Sequence, residues 1–256
     1  MEIKVHLLSK SENPLLSMAV AARLCYFKGK TFDELVSSLA PDTATQERLV
    51  KQCIDHRHMS VLEHTMFMFG IEGVGRNFTH QLVRHRNTSY EQQSLHYLTA
   101  EDCNIAEPTF IEVDQKNLME DCAANCFETY QKLLDMGLPK EEARHILPSG
   151  IETKIVATAN LRQWMHFIRL RMCNVNCEEI RLVANKIRQK IIEIIPMMYP
   201  YLGPNCYTCS ACVEGKRFCC KPMKLPIIVR DGSNVLAILK NYQEVAEYEY
   251  KISKQK

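Results

Sequence analysis

At 256 residues, with 32 Lys and Arg against 30 Asp and Glu and a formal net charge of +2, the chain is long enough to bury a substantial core and carries little excess basic charge. That balance argues against a dedicated nucleic-acid binder, so any recognition of anions has to be local. No apolar run is long enough to cross a bilayer and the opening MEIKVHLLSK has no signal-peptide core, which points to the cytoplasm and to reduced thiols for most of the 12 cysteines.

In chain order, the alternation of Ile3, Val5 and Leu7 predicts a first strand, and Asn13-Pro14 opens an alanine-rich helix through Ala19, Ala21 and Ala22. Two further helices fit Phe32 to Leu39 and Gln46 to Ile54. The continuous apolar and aromatic run Thr65 to Ile71, bounded by Gly70, Gly73 and Gly75, reads as a buried strand, and Phe78 to Arg84 as a short helix. After a loop near Pro108, helices are expected at about 117–136, 139–147 and 153–172, and another over about 177–195, where Pro196 stops it. From Lys221 onward the character changes to a strand-like Leu-Pro-Ile-Ile-Val-Arg, a turn at Asp231-Gly232 and a charged helical stretch.

The run from Arg84 to Tyr97 carries the chemistry. Arg84 and Arg86 can hold phosphates through paired donors, and His85 between them can stack on or donate to a ring while its arginine neighbours disfavour its protonation. Ser89 and Ser94 offer hydroxyls, and Gln92 and Gln93 both donate and accept, which suits the edge of a nucleobase or a flavin. An isolated Arg-His-Arg would serve equally as a solvated turn after a helix, but the longer pattern describes a nucleotide pocket.

The spacing Arg84-His85-Arg86, seven residues, Ser94 resembles the hallmark of the flavin-dependent thymidylate synthases. The likeness extends in order through Ala21 to Tyr26, His58 to His64, His80 to Val83, Ala143-Arg144-His145-Ile146-Leu147-Pro148, and Asn160-Leu161-Arg162 with His166-Phe167 and Leu170-Arg171. Together these blocks span roughly residues 1–220, and their order is far more specific than any one of them. The resemblance implies a mixed α/β (α+β) fold, a mixed or antiparallel sheet flanked by helices as in thymidylate synthase-complementing proteins, assembled as a homotetramer whose sites form between subunits. It implies a domain over residues 1–222 and leaves 223–256 as an extension of unknown role.

The activity so implied is reductive methylation of dUMP to dTMP, with methylenetetrahydrofolate giving the one-carbon unit, FAD carrying electrons and NADPH reloading it. Ser60, Glu63, Arg84, His85, Arg86, Gln92, Asn160, Arg162 and His166 would contact FAD. Gln81, Arg84, Gln92, Ser94, Leu95, His96 and Arg144 would hold dUMP. Arg171 would face the uracil and favour its ionised form. No enzyme nucleophile is needed, and with no base beside it in the sequence Ser94 is assigned to substrate polarisation. Read from the residues alone, Glu63 can either accept from a ribose or cap the turn before the strand.

Two departures from the family pattern stand out. His96 lies where the family has a permanent cation, so dUMP should bind more weakly at alkaline pH. Val175, Asn176 and Cys177 replace a basic residue and an Ala-Gln pair, which leaves room for a same-fold enzyme alkylating UMP or dCMP. The spacing of Cys206, Cys209, Cys212, Cys219 and Cys220 is compatible with a structural metal or with free thiols. A non-catalytic nucleic-acid binder with this loop is the remaining alternative.

Overall fold

The computed structural model describes residues 2–108, 111–208, 212–217 and 219. The expected tail elements beyond Lys221 lie outside these residues. A four-stranded antiparallel sheet in the order β1-β2-β4-β3 forms its centre, with β1 Lys4–Lys10, β2 Met66–Gly75, β3 Ser89–Gln92 and β4 Glu152–Asn160. Helices α1 Pro14–Leu24, α2 Phe32–Leu39 and α3 Thr43–Asp55 fill the connection between β1 and β2, and α4 Arg76–Leu82 follows β2 directly. Later come α5 Val113–Asp135, α6 Lys140–Ala143, α7 Leu161–Arg171, α8 Glu178–Ile194 and the short α9 Asn205–Thr208. The fold is therefore α+β, as the sequence implies.

The sheet has one dry face. Phe67, Phe69 and Ile71 of β2 and Thr153, Ile155, Ala157 and Ala159 of β4 alternate into the core, where Phe69 meets Trp164 of α7 edge-on at 5.1 Å and Trp164 in turn meets Phe167 edge-on at 5.7 Å. The Trp164 indole N–H donates to the Phe67 carbonyl at 3.1 Å, so its polar edge is satisfied inside the core. The opposite face leaves Leu8 and Met66 exposed and forms an open groove of about 410 Å³ lined by His6, Glu72, Glu91 and Lys154.

The expected helix over 153–172 is instead two elements. Residues 152–160 form β4, and only Leu161–Arg171 is helical. Burial alternates from Thr153 to Ala159 and the segment pairs along the length of β2, with Ala157 and Ala159 buried on its inner face. The break falls at Asn160, whose side-chain oxygen accepts from the Gln163 N–H at 2.9 Å and caps α7. The segment Ser89–Gln92, read as ligand-binding polar sequence, is the edge strand β3. The helix expected at 139–147 is α6 followed by a single 3₁₀ turn, Arg144–Ile146. The helix expected over Phe78 to Arg84 stops at Leu82, leaving Arg84-His85-Arg86 in the turn beyond it.

Candidate active site

Two helix ends meet around Arg171. It closes α7, and its Nε donates to His85 Nε2 at 2.9 Å, while one terminal nitrogen reaches Asn176 Oδ1 at 3.3 Å and the other the Gln81 carbonyl at 3.5 Å. Because an arginine has no acceptor, His85 Nε2 must carry the lone pair and the ring is neutral with its proton on Nδ1. His85 is buried, 6% exposed, and packs edge-on against Phe167 at 5.0 Å and His166 at 5.9 Å. Burial first, then Arg171 and His166, hold its pKa down to about 4. Burial likewise lowers that of His166, helped by Arg169 and Arg171.

The turn that carries the motif is held from behind. Tyr90 donates to, or shares its proton between, the carbonyls of Leu82 at 2.8 Å and His85 at 2.9 Å, pinning the chain so that Arg84 and Arg86 flank the buried imidazole and stay exposed. Asn87, with φ 61, takes the left-handed conformation that reverses the chain into β3. Asn176 fixes the other side of Arg171. Its amide nitrogen donates to the carbonyls of Leu170 at 2.8 Å and Cys173 at 3.1 Å at the open end of α7, which leaves its oxygen facing the guanidinium. Cys177 lies 3.5 Å from the Gln81 amide nitrogen. Thus Asn176 supplies an amide beside Arg171 where the sequence suggested that one had been lost.

A second group forms beyond β3. Ser94 Oγ accepts from the His96 N–H at 3.3 Å and caps the 3₁₀ turn Leu95–Tyr97, so its hydroxyl has a local role. His96 Nδ1 stands 3.3 Å from Glu141 Oε1, and Arg144 Nε donates to the Glu141 carbonyl at 3.1 Å. Leu95 is half-buried within the same turn. Gln92 spends its amide hydrogens on the hydroxyls of Thr79 at 3.1 Å and Thr153 at 3.3 Å, so only its oxygen remains to accept.

The third group sits where α7 begins. Arg162 pairs with Glu63, so this carboxylate neither caps the strand turn nor stands alone, and Ser60 is exposed on the 3₁₀ turn Met59–His64 beside them. Asn160 is occupied in capping α7. Among the described residues no hydrogen bond or ion pair joins the Ser94, His96 and Arg144 group to Arg171 or His85. No local spacing marks the roles of Glu141, which meets His96 and Arg144, or of Asn176, which meets Arg171 and two carbonyls at the end of α7.

The cysteine loop shows less than its spacing suggests. Cys206, Cys212 and Cys219 are free thiols, and among the described residues no group of three or more His, Cys, Asp or Glu could hold a metal ion; Cys209 and Cys220 lie outside those residues. Burial, reinforced by Glu214, Cys206 and Cys219, pushes the Cys173 thiol up.

The model of the thymidylate synthase complementing proteins matches residues 6–197, which holds all three groups. The chain is 36% identical over 235 residues to the flavin-dependent thymidylate synthase of Geobacter sulfurreducens, covering 90% of this chain and all of that protein. The chain belongs to the flavin-dependent thymidylate synthase family. Flavin-dependent thymidylate synthases of Pyrococcus horikoshii and Clostridium tetani are 36% and 32% identical, covering 83% and 88% of this chain and 90% and 96% of theirs. In this flavin-dependent thymidylate synthase family member, no helix among the described residues is long and apolar enough to cross a membrane.

The donor set fits the cofactor that the family name implies. Arg84 and Arg86 are exposed, form no ion pair among the described residues, and flank His85, whose ring meets that of His166 at 5.9 Å. Two unpaired guanidinium groups next to flat aromatic rings match a ligand that combines phosphates with a planar ring system.

Proposed function

We propose that the protein converts dUMP to dTMP by reductive methylation, with methylenetetrahydrofolate as one-carbon donor, FAD as bound cofactor and NADPH as reductant. The observation that carries this reading is the hydrogen bond from Arg171 to His85, which ties a substrate-facing cation to the centre of the Arg-His-Arg motif. FAD, when bound, supplies the electron transfer that no side chain here can perform. Arg84, His85 and Arg86, with Ser60, Glu63, Gln92, Asn160, Arg162 and His166, would hold and orient it.

On the substrate side, Arg171 presents a fixed positive charge. A permanent cation beside the uracil edge lowers the cost of removing its ring N–H proton, and the ionised ring is richer in electrons at the carbon to be methylated. Neutral His85 serves this by accepting from Arg171 without adding charge of its own. Gln81, Arg84, Gln92, Ser94, Leu95, His96 and Arg144 complete the dUMP pocket, with Ser94 polarising substrate. No side chain needs to attack the ring.

The groups built on Arg171 and on Arg144 are held by separate elements, which supports a site completed by more than one chain and so a homotetramer. The outer sheet face, with His6 and Lys154 beside Glu72 and Glu91, offers the mixed charges that a symmetric contact uses. Residues 1–222 form the catalytic domain, working in the cytoplasm.

Purified protein should be yellow and show a flavin absorbance band, and should release tritium from 5-labelled dUMP faster than from UMP or dCMP. Arg84→Ala with Arg86→Ala should lower bound flavin at least tenfold. Colourless protein that takes up no added FAD overturns the reading, and release from UMP or dCMP in preference to dUMP overturns the choice of substrate.

A further inference from the structure

Asn176 ends the turn that follows α7, and its side-chain amide is fully committed. The amide nitrogen donates to the carbonyls of Leu170 at 2.8 Å and Cys173 at 3.1 Å, and the main-chain N–H of the same residue also donates to Cys173, at 3.0 Å. The turn is anchored from the far side as well, where Arg181 of α8 donates to Asn174 Oδ1 at 2.9 Å. Main-chain carbonyls only accept, so the Asn176 amide has one workable orientation: turned over, it would set its oxygen against two carbonyls and its NH2 against a guanidinium. Its oxygen therefore points at Arg171, 3.3 Å from one terminal nitrogen.

The partners of Arg171 share a second property. His85 Nε2, the Asn176 amide oxygen and the Gln81 carbonyl are all neutral acceptors, and among the described residues no carboxylate pairs with this guanidinium. A neutral acceptor fixes direction and leaves the charge whole, whereas a carboxylate in its place would fix direction and cancel most of the field. We propose that Asn176 is a positioning residue for the reaction, one that aims Arg171 while leaving its charge uncompensated, so that the charge falls on the uracil ring. This rests on the reading in which Arg171 faces the uracil of dUMP. Ala at this position would release the guanidinium. Asp, of nearly the same shape, would hold and neutralise it, and would give up both donations to the open end of α7.

The test is calorimetric titration of wild type, Asn176→Ala and Asn176→Asp with dUMP and with 5-fluoro-dUMP, beside turnover of dUMP. Fluorine acidifies the neighbouring ring N–H, so a site that supports the ionised ring binds the fluoro compound more tightly, and this preference reads the Arg171 field with no chemistry taking place. Wild type should prefer 5-fluoro-dUMP roughly tenfold, Asn176→Ala less and Asn176→Asp hardly at all, with kcat lowered roughly tenfold in Ala and roughly 100-fold in Asp and flavin content unchanged. In an Arg171→Ala background neither Asn176 substitution should lower kcat further, because its effect passes through a group already removed. A fluoro preference that survives in Asn176→Asp, or losses that add in full to those of Arg171→Ala, overturn the proposal and leave Asn176 a helix cap alone. Equal affinities for the two nucleotides in wild type overturn instead the assignment of Arg171 to the uracil, on which the proposal stands.

Discussion

Arg171→Ala should lower turnover on dUMP by roughly 10²- to 10³-fold while flavin content stays near that of wild type. The guanidinium is held at three points, by His85 Nε2, Asn176 Oδ1 and the Gln81 carbonyl, so its direction is set before substrate arrives. Preorganised charge acts on the barrier because nothing has to reorient as charge develops on the ring. Arg171→Lys should recover little, since an ammonium on a flexible stem cannot keep the fork that spans an imidazole and an amide. Tritium release under saturating folate, with flavin occupancy measured on the same sample, checks this. A variant that retains more than about a third of wild-type turnover would mean that Arg171 is not the cation facing the ring.

Stability should fall by about 3 kcal/mol as pH drops from about 6.5 to about 4, and His85 is the reason. Its folded-state pKa lies near 4, whereas an unfolded histidine takes up its proton near 6.5. Above 6.5 the ring is neutral in both states and costs nothing. Between the two values the unfolded chain binds a proton that the folded chain refuses, so folding weakens throughout that window and levels off below it. Protonation would also turn the Arg171 acceptor into a donor, putting two cations face to face. Denaturant titrations at intervals across this range, on wild type and on His85→Gln, test the idea. Gln offers an acceptor oxygen without titrating, so its stability should change less over the same window; equal slopes would assign the acid sensitivity to other groups.

Most helices are legible from their apolar spacing, but their ends are set by caps: α3 begins at Thr43, ahead of the expected Gln46, because the Asp42 side chain caps it. β4 was not legible, because Ala157 and Ala159 are strong helix formers whose burial depends on β2 lying alongside, information from distant sequence. Asn160, which the family resemblance assigns to FAD, also marks the break through its cap on α7. β3 was hidden in the same way by the polar character of Ser89 to Gln92. Within the site, Arg84, His85, Arg86 and Arg171 were marked by motif. The roles inside the motif were not: burial separates His85 from its two exposed neighbours, and no one-dimensional pattern distinguishes a buried imidazole from a solvated one.

The meeting of His85 with Arg171 is in the end a matter of lengths. β2 and β4 run antiparallel, with Gly75 opposite Glu152 and Met66 opposite Asn160, so α4 and α7 set out from opposite ends of the same strand pair and both return against α8. Each helix begins at its strand's last residue with no intervening linker. One residue added to α7 would advance its end by about 1.5 Å and turn it by about 100°, swinging the guanidinium away from the imidazole. The sheet thus works as a fixed ruler, and the count of residues between Asn160 and Arg171 is as much a part of the chemistry as the side chains at its far end.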